Sequence, residues 1–252
     1  MGVKEKMIKG KDIDEVLYKV CKKFKTAPEY SPRRQKTKEL IQETLVIKDP
    51  SKCVVTNPAR KISRDYLDKE LKWYLSGDKN IKEIGKHASM WNNIADENGK
   101  VNSNYGEIVF FQELENYTES QFCWVIESLC NDQDSRQAII NFNQPKHKKE
   151  DVKDFVCCIS VQYLIRDKKL ISITNMRSSD LIYGFCNDFP FFAYLQQELL
   201  RRLNRGGLKL KLGMNIHTAG SLHIYEKHFP MIDKIIDEYE KGDVVSEELD
   251  VV

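Results

Sequence analysis

Apolar residues spaced three or four positions apart predict helices over residues 12–24, 63–75, 118–130, 188–204 and 229–240. Small polar residues stand at the start of the first three, where Asp12, Ser63 and Thr118 are suitable N-caps. Glycines follow the second and fourth helices, at Gly77 and at residues 206–207. These boundary residues support the helix assignments independently of the hydrophobic spacing.

Runs rich in β-branched and aromatic residues predict strands over residues 43–49, 136–143, 154–165, 169–176, 208–217 and 221–226. The polar turn at 166–169 predicts an antiparallel hairpin, and residues 31–38 form a basic loop. Strands and helices do not alternate regularly, which favours an α+β fold with a mixed or antiparallel sheet over a doubly wound one. No linker or repeat divides the chain, so residues 1–252 are predicted to be a single domain.

Composition narrows the classes of function. The 40 basic and 38 acidic residues leave a formal charge of +2, which argues against a dedicated nucleic-acid-binding protein. The seven cysteines are scattered and include no CxxC pair, which predicts reduced thiols in a cytoplasm and no zinc site. The longest apolar stretch, 155–161, is too short to cross a bilayer, so we expect a soluble cytoplasmic protein that binds neither membranes nor nucleic acid.

Several polar residues could carry chemistry, and each also has an ordinary structural explanation. Cys157 lies in the predicted central strand, where a reduced cysteine usually serves as a small buried apolar residue. Adjacent strand residues point to opposite faces, so only one of Cys157 and Cys158 can face a given pocket. Arg177 could bind phosphate or form a surface salt bridge, and Asp188 could simply cap the helix that follows. None of these positions is decisive alone.

Six segments, taken in order, resemble the thymidylate synthase superfamily, and most closely its phage deoxycytidylate hydroxymethylase branch. They are KELKWYLSGDKNI (69–81), MWNNIADENGKVNSNYG (90–106), DSRQAII (134–140), DFVCCISVQYLIRDKK (154–169), NMRSSDLIYGFCND (175–188) and GSLHIYEKHF (220–229). Residues 1–60 match weakly. The resemblance implies the family's fold, a mixed β-sheet flanked by helices.

The resemblance also implies a role for individual residues. Cys157 matches the nucleophile, and Glu70 matches the glutamate that organises water and proton transfer. The substrate-binding positions fall on Arg177, Ser178, Arg136, Gln162, Asp188, His223 and Tyr225. The folate-binding positions fall on Trp91, Asp180 and Gly184. Arg136 matches an arginine that reaches the phosphate site of a neighbouring subunit, which implies a homodimer with a shared phosphate site.

The sequence departs from the synthase pattern at four positions. Cys158 replaces a histidine, and Ile94 replaces a second tryptophan beside the transferred carbon. Gln137 replaces a second arginine, so phosphate binding could depend on Arg33 or Arg34 instead. Asp188 replaces an asparagine whose amide pairs with uracil, and a protonated carboxyl group suits the edge of cytosine. Hydroxymethylases of the branch that this chain resembles carry aspartate at this position.

The resemblance thus implies an enzyme that transfers a one-carbon unit from 5,10-methylenetetrahydrofolate, a co-substrate, to C5 of deoxycytidylate (dCMP), with no metal. Water would complete the reaction in a hydroxymethylase, with Cys157, Glu70 and Asp188 as catalytic residues, Asp188 also reading the base. The alternatives are a thymidylate synthase, a hydroxymethylase acting on dUMP or CMP, and a non-catalytic homologue. The resemblance to phage enzymes points to the cytoplasm of an infected bacterium as the location.

Overall fold

The computed structural model describes residues 7–117 and 119–249. Its helices are α1 (Ile13–Phe24), α2 (Arg64–Ser76), α3 (Ser89–Ile94), α4 (Gln121–Asn131), α5 (Cys186–Arg205) and α6 (Phe229–Glu240). Its strands are β1 (Met7–Gly10), β2 (Glu29–Tyr30), β3 (Thr37–Ile47), β4 (Lys52–Val54), β5 (Ile139–Asn141), β6 (Cys158–Arg166), β7 (Lys169–Asp180), β8 (Lys211–Tyr225) and β9 (Glu247–Glu248). Residues up to 62 and from 165 onward form a first compact unit, and residues 63–164 form a second.

The first unit contains a mixed sheet. Its strands lie in the order β1-β3-β8-β7, and β2 pairs with the start of β3. β1 is parallel to β3, β8 is antiparallel to β3, and β7 is parallel to β8. The predicted α+β class with a mixed sheet is therefore confirmed.

Helices cover this sheet with apolar side chains. The whole inner stripe of α1 is buried, including Val16 and Val20, and α1 packs against α6, β1 and β3. Asp12 caps α1 as predicted, because its carboxylate accepts the Glu15 backbone N–H at 2.9 Å. α5 packs on β7 and β8 with fully buried Phe192. Burying one such side chain contributes about 2–3 kcal/mol to folding.

The prediction of two strands over 208–217 and 221–226 is wrong, because β8 runs without a break through Gly220. β3 and β7 flank β8, so hydrogen bonds on both sides hold this stretch extended. A β-carbon at Gly220 would lie 3.0 Å from the Arg177 carbonyl oxygen. Glycine therefore permits a close approach between two strands here and does not mark a turn.

The second unit begins with the well-predicted helix α2. Ser63 Oγ accepts the Tyr66 backbone N–H at 3.2 Å, and Gly77 ends the helix with a left-handed φ of 68°. The predicted cap Thr118 lies outside the described residues, and α4 begins three positions later with Ser120 as its cap. β5 and β6 pair antiparallel, placing Ile139 opposite Gln162. The short helix α3 was not predicted.

Several strand boundaries differ from the predictions. β3 and β7 are longer than expected, and β3 takes in the end of the predicted basic loop. β6 starts at Cys158, because Asp154 instead accepts hydrogen bonds from the backbone N–H groups of Asn102 and Ser103 at 2.6 and 2.7 Å. Between β6 and β7, Asp167 and Lys168 have φ values of 51° and 57°. Positive φ at both residues is typical of a two-residue hairpin turn, which agrees with the predicted hairpin.

Polar side chains, rather than apolar ones, line part of the sheet beneath α5. Thr174 lies opposite His217, and Ser172 lies opposite Asn215, on β7 and β8. All four side chains are fully buried. The His217 ring lies 5.1 Å from the Phe185 ring, and burial lowers the pKa of His217 to about 3.

We expect His217 to make the fold sensitive to acid. The unfolded chain binds a proton at this histidine below about pH 6.5, whereas the folded chain does so only near pH 3. Stability is therefore lost as the pH falls through this window. In denaturant titrations, His217→Phe should gain about 1 kcal/mol relative to the wild type for each pH unit below 6. A difference that does not change with pH would contradict this account.

Candidate active site

Glu70 lies on the buried face of α2, whereas an ordinary helix glutamate would be solvated. Only 5% of the residue is exposed. Its carboxylate accepts a hydrogen bond from the Tyr66 hydroxyl, one helical turn earlier. Trp91, which is 3% exposed on α3, donates its indole N–H to the Tyr66 oxygen at 3.1 Å. The structure thus links two predicted site residues, Glu70 and Trp91, through a residue that the sequence did not single out.

The two adjacent cysteines occupy different environments. Cys158 is fully buried, whereas Cys157 is partly exposed. Cys157 immediately precedes β6, so the prediction that both cysteines lie inside a central strand is wrong. The Cys157 thiol lies 3.9 Å from the Phe155 carbonyl oxygen. The accessible thiol of the pair is therefore the one that the sequence motifs predict to be the nucleophile.

Gln162 and Arg136 are neighbours in the second unit. The Gln162 amide nitrogen donates to the Arg136 backbone carbonyl at 2.9 Å. The Arg136 side chain is exposed. An exposed guanidinium can bind an anion of another molecule, and the resemblance predicts that Arg136 reaches the phosphate site of a neighbouring subunit.

In the first unit, five predicted site residues cluster at the ends of β7 and β8. Asp180 lies opposite His223 in the register of the two parallel strands. The His223 and Tyr225 rings are perpendicular, with centroids 5.1 Å apart. Burial lowers the pKa of His223, partly offset by the Asp180 carboxylate, while the Arg177 charge lowers it further. Ser178, on the same strand end as Arg177, is half-buried and pairs in register with Ser221.

Asp188 lies on the first turn of α5, close to Asp180 and Gly184. The residue as a whole is half-buried, but its carboxyl group is surrounded by protein atoms. Burial, reinforced by the negative charge of Asp180, raises the pKa of Asp188 to about 7. A β-carbon at Gly184 would lie 3.8 Å from the Asp188 carboxylate, at van der Waals contact. At neutral pH much of Asp188 is protonated and can donate a hydrogen bond.

A segment supported by Arg60 connects Asp180 to α5. Arg60 is 6% exposed, and its Nε donates to the Ile182 carbonyl at 2.6 Å. Its Nη2 donates to the Asn187 side chain at 2.8 Å, and its guanidinium lies 5.1 Å from the Tyr183 ring. The sequence did not indicate Arg60, because its partners lie more than 120 residues away.

The predicted site residues thus fall into two sets. Cys157, Glu70, Trp91, Arg136 and Gln162 belong to the second unit, and the others belong to the first.

The described residues show neither a metal-binding cluster nor a membrane-spanning helix. Within residues 7–117 and 119–249, no group of three His, Cys, Asp or Glu side chains is arranged to hold a metal ion. No helix in the described part of the chain is long and apolar enough to span a membrane. Arg33 and Arg34, the alternative phosphate ligands, are exposed in a short turn with positive φ.

Comparison with known proteins assigns the family. The sequence profile of the family described as thymidylate synthase matches residues 19–246, which is most of the chain. The chain belongs to the thymidylate synthase family. The match also covers much of the N-terminal region, which the sequence motifs alone matched weakly.

Individual members of the thymidylate synthase family are similar to different degrees. The deoxycytidylate 5-hydroxymethyltransferases of Enterobacteria phages T4 and T2 are each 35% identical over 205 residues, covering 79% of this chain and 79% of theirs. A thymidylate synthase from Vesicomyosocius okutanii is 27% identical over 65% of this chain and 61% of its own. Thermostable thymidylate synthase A from Bacillus subtilis has the same fold, with a TM-score of 0.70 over 90% of this chain and 84% of its own, at 17% identity.

Membership of the thymidylate synthase family establishes the general chemistry. Members are folate-dependent one-carbon transferases that use methylenetetrahydrofolate as co-substrate and bind pyrimidine nucleotides. The family assignment therefore confirms the broader part of the prediction, a folate-dependent one-carbon transferase. Family membership does not determine which base is used, which nucleophile completes the reaction or which residue plays each role. These depend on this chain's own side chains.

Proposed function

We propose that this protein is a deoxycytidylate 5-hydroxymethyltransferase. It transfers the one-carbon unit of 5,10-methylenetetrahydrofolate to C5 of dCMP and completes the reaction with water. The observation that carries the proposal is the pKa of about 7 of the Asp188 carboxyl group, at the position that the resemblance assigns to recognition of the base. The 35% identity to phage enzymes of that name supports the same conclusion.

The choice of cytosine rests on hydrogen-bond complementarity. Cytosine presents an acceptor at N3 and a donor at its 4-amino group, whereas uracil presents a donor at N3 and an acceptor at O4. A protonated Asp188 donates to N3 with its hydroxyl and accepts from the amino group with its carbonyl oxygen. Each buried group left without a matching partner costs about 1–3 kcal/mol. This difference is large enough to select the base.

The remaining predicted site residues of the first unit can bind the phosphate and sugar of the nucleotide and the pterin of the folate. Arg177 and Ser178 offer a guanidinium and a hydroxyl group to the phosphate, and His223 with Tyr225 offer polar groups to the sugar. Each oxygen of Asp180 accepts one backbone N–H, from Ile182 at 3.3 Å and from Tyr183 at 3.0 Å. A carboxylate accepts about four hydrogen bonds, so Asp180 can also accept from the N–H groups of a pterin.

The chemistry assigned to the second-unit residues follows from the pyrimidine ring. C5 is a weak nucleophile until the Cys157 thiolate adds at C6, after which C5 bonds to the folate's methylene carbon. Loss of the C5 proton and departure of tetrahydrofolate leave an exocyclic methylene on the ring. Water adds to that carbon while Glu70 accepts a proton, and the Cys157 sulfur then leaves C6.

The folate product distinguishes this reaction from thymidylate synthesis. When water completes the reaction, the departed tetrahydrofolate remains as the second product, whereas hydride transfer from it yields dihydrofolate, which has its own absorbance. With dCMP and methylenetetrahydrofolate, we expect turnover without a dihydrofolate signal. Stoichiometric dihydrofolate would instead show that hydride completes the reaction, and its formation with dUMP would identify a thymidylate synthase. An absence of any covalent complex with a 5-fluoropyrimidine nucleotide and folate would indicate a non-catalytic homologue.

The proposal includes a homodimer, which is supported by the outer face of the first unit's sheet. Ile171, Ile173 and Ile216 are half-exposed there, and Met214 is 39% exposed. These apolar side chains alternate with the polar ones buried under α5. A contiguous apolar sheet face is typical of a protein–protein interface. In such a dimer, the resemblance assigns exposed Arg136 to the phosphate bound by the other subunit.

Sedimentation should therefore show a dimer that depends on this face. We expect Ile173→Lys to dissociate the dimer and to abolish activity, because it places a charge in an apolar interface. Val245→Lys is the matched control, since Val245 is 64% exposed and belongs to neither strand of that face; its carbonyl accepts a hydrogen bond from Thr56 instead. A fully active monomer would contradict the shared phosphate site.

A further inference from the structure

A directional chain of hydrogen bonds ends at Glu70. The indole N–H of Trp91 can only donate, and it points at the Tyr66 oxygen at 3.1 Å. The hydroxyl proton of Tyr66 is directed to the Glu70 carboxylate. Each donor therefore faces an acceptor in the order Trp91, Tyr66, Glu70. This order fits an ionised Glu70, because both hydrogen-bonding protons, on Trp91 and on Tyr66, are directed toward it.

The surrounding structure holds these three hydrogen-bonded side chains in place. Tyr66 and Glu70 share one face of α2, and Ser63 caps that helix at the Tyr66 backbone N–H. The Trp91 ring packs edge-on against the Trp73 ring at 4.8 Å. Trp73 is itself fixed by a hydrogen bond from its indole nitrogen to the Asn80 carbonyl at 3.1 Å. The Tyr66 hydroxyl is thus held by a helix on one side and by a packed aromatic pair on the other.

We propose that Tyr66 is a positioning residue for the one-carbon transfer, keeping the Glu70 carboxylate ionised and aimed at the reacting water. The proposal rests on the function proposed above. Burial alone would favour the neutral acid, and a hydrogen bond donated to the charged form opposes this. Without the Tyr66 hydroxyl, Glu70 would both protonate more readily and rotate more freely.

The step that Tyr66 supports is the addition of water. The water oxygen bonds to the exocyclic methylene carbon, and one of its protons passes to the Glu70 carboxylate. The electron pair of the methylene double bond moves into the ring and forms the C5–C6 double bond, while the C6–S bond breaks and its own electron pair leaves with the Cys157 sulfur as a thiolate. Tyr66 gains and loses no proton in this sequence. Its contribution is the orientation and charge of Glu70 at the moment of proton transfer.

Tyr66→Phe removes the hydroxyl and keeps the ring. We expect kcat to fall about 10- to 100-fold, because a hydrogen bond to a charged group is lost, with little change in the KM for dCMP. In single turnovers with dCMP tritiated at C5, tritium release should precede hydroxymethyl product by a longer delay than in the wild type. The acidic limb of the kcat–pH profile should move to higher pH.

Two comparisons separate positioning from a general structural effect. Tyr163→Phe is the matched control, since its buried hydroxyl has no hydrogen-bond partner among the described residues, and we expect wild-type kinetics. Tyr66→Phe in a Glu70→Gln background should cause little further loss, because Tyr66 acts through Glu70. Wild-type kcat and an unmoved pH limb in Tyr66→Phe would overturn the proposal, and so would full additivity with Glu70→Gln. A wild-type enzyme that yields no hydroxymethyl product would instead refute the function itself, and the proposal with it.

Discussion

Replacing Cys157 by serine should lower kcat by about 10³-fold or more, because loss of a covalent nucleophile removes the route through the enzyme-bound adduct. Binding of dCMP should remain measurable, since the phosphate, sugar and base contacts are assigned to other residues. Turnover is checked by product formation and binding by equilibrium titration. The covalent complex with a 5-fluoropyrimidine nucleotide should be absent from this variant.

Cys158→Ser is the control for Cys157→Ser. Cys158 is fully buried, so serine should reduce stability by about 1–3 kcal/mol through the buried hydroxyl. The activity of the folded protein should be largely retained, because this side chain does not share the exposure of Cys157. If Cys157→Ser is active while Cys158→Ser is not, the assignment of the nucleophile is wrong.

Asp188→Asn should change the preferred base from cytosine to uracil. Removing the carboxyl group replaces the pattern that matches cytosine with the amide found in synthases that use uracil. The cost of mismatched buried groups, about 1–3 kcal/mol each, corresponds to a change in the dCMP/dUMP preference of about 10- to 1,000-fold. Competition between the two nucleotides measures the ratio directly. An unchanged preference would remove the argument for dCMP.

In the wild type, the preference for dCMP over dUMP should depend on pH. Asp188 loses its proton near pH 7, so the hydroxyl that donates to N3 disappears and the preference for dCMP should decrease above that pH. The phosphate groups of the two nucleotides titrate alike, so their effects cancel in the ratio. Asp188→Asn should abolish this dependence. Asp233→Asn, on the exposed face of α6, should leave it unchanged.

Local sequence features predicted those parts of the fold that are determined locally. Helices α1 and α2 begin at the predicted caps, Asp12 and Ser63, because one side chain satisfies the free N–H groups at each start. The continuity of β8 through Gly220 could not be predicted, since it depends on two partner strands far away in the chain. His217 likewise occupies a buried position that alternation alone would reserve for an apolar residue.

In the candidate site, too, the sequence predicts local features but not those that depend on distant parts of the chain. Motif spacing singled out Cys157, Glu70 and Asp188, whose roles stay predictions. The raised pKa of Asp188 depends on burial and on a second carboxylate eight residues earlier, which only the folded chain reveals. Tyr66 was missed because its significance depends on Trp91, 25 residues away on the unpredicted helix α3. Its position four residues before Glu70 on one helix face was the only available signal.

The most direct test of the central claim is the mass of the product formed from dCMP and methylenetetrahydrofolate in oxygen-18-labelled water. We expect a cytidylate that has gained one hydroxymethyl group, with the label in its hydroxyl oxygen and with tetrahydrofolate as the second product. Parallel reactions with dUMP and CMP should be much slower. A methylated nucleotide, an unlabelled hydroxymethyl group, or equal use of dUMP would contradict the proposed function.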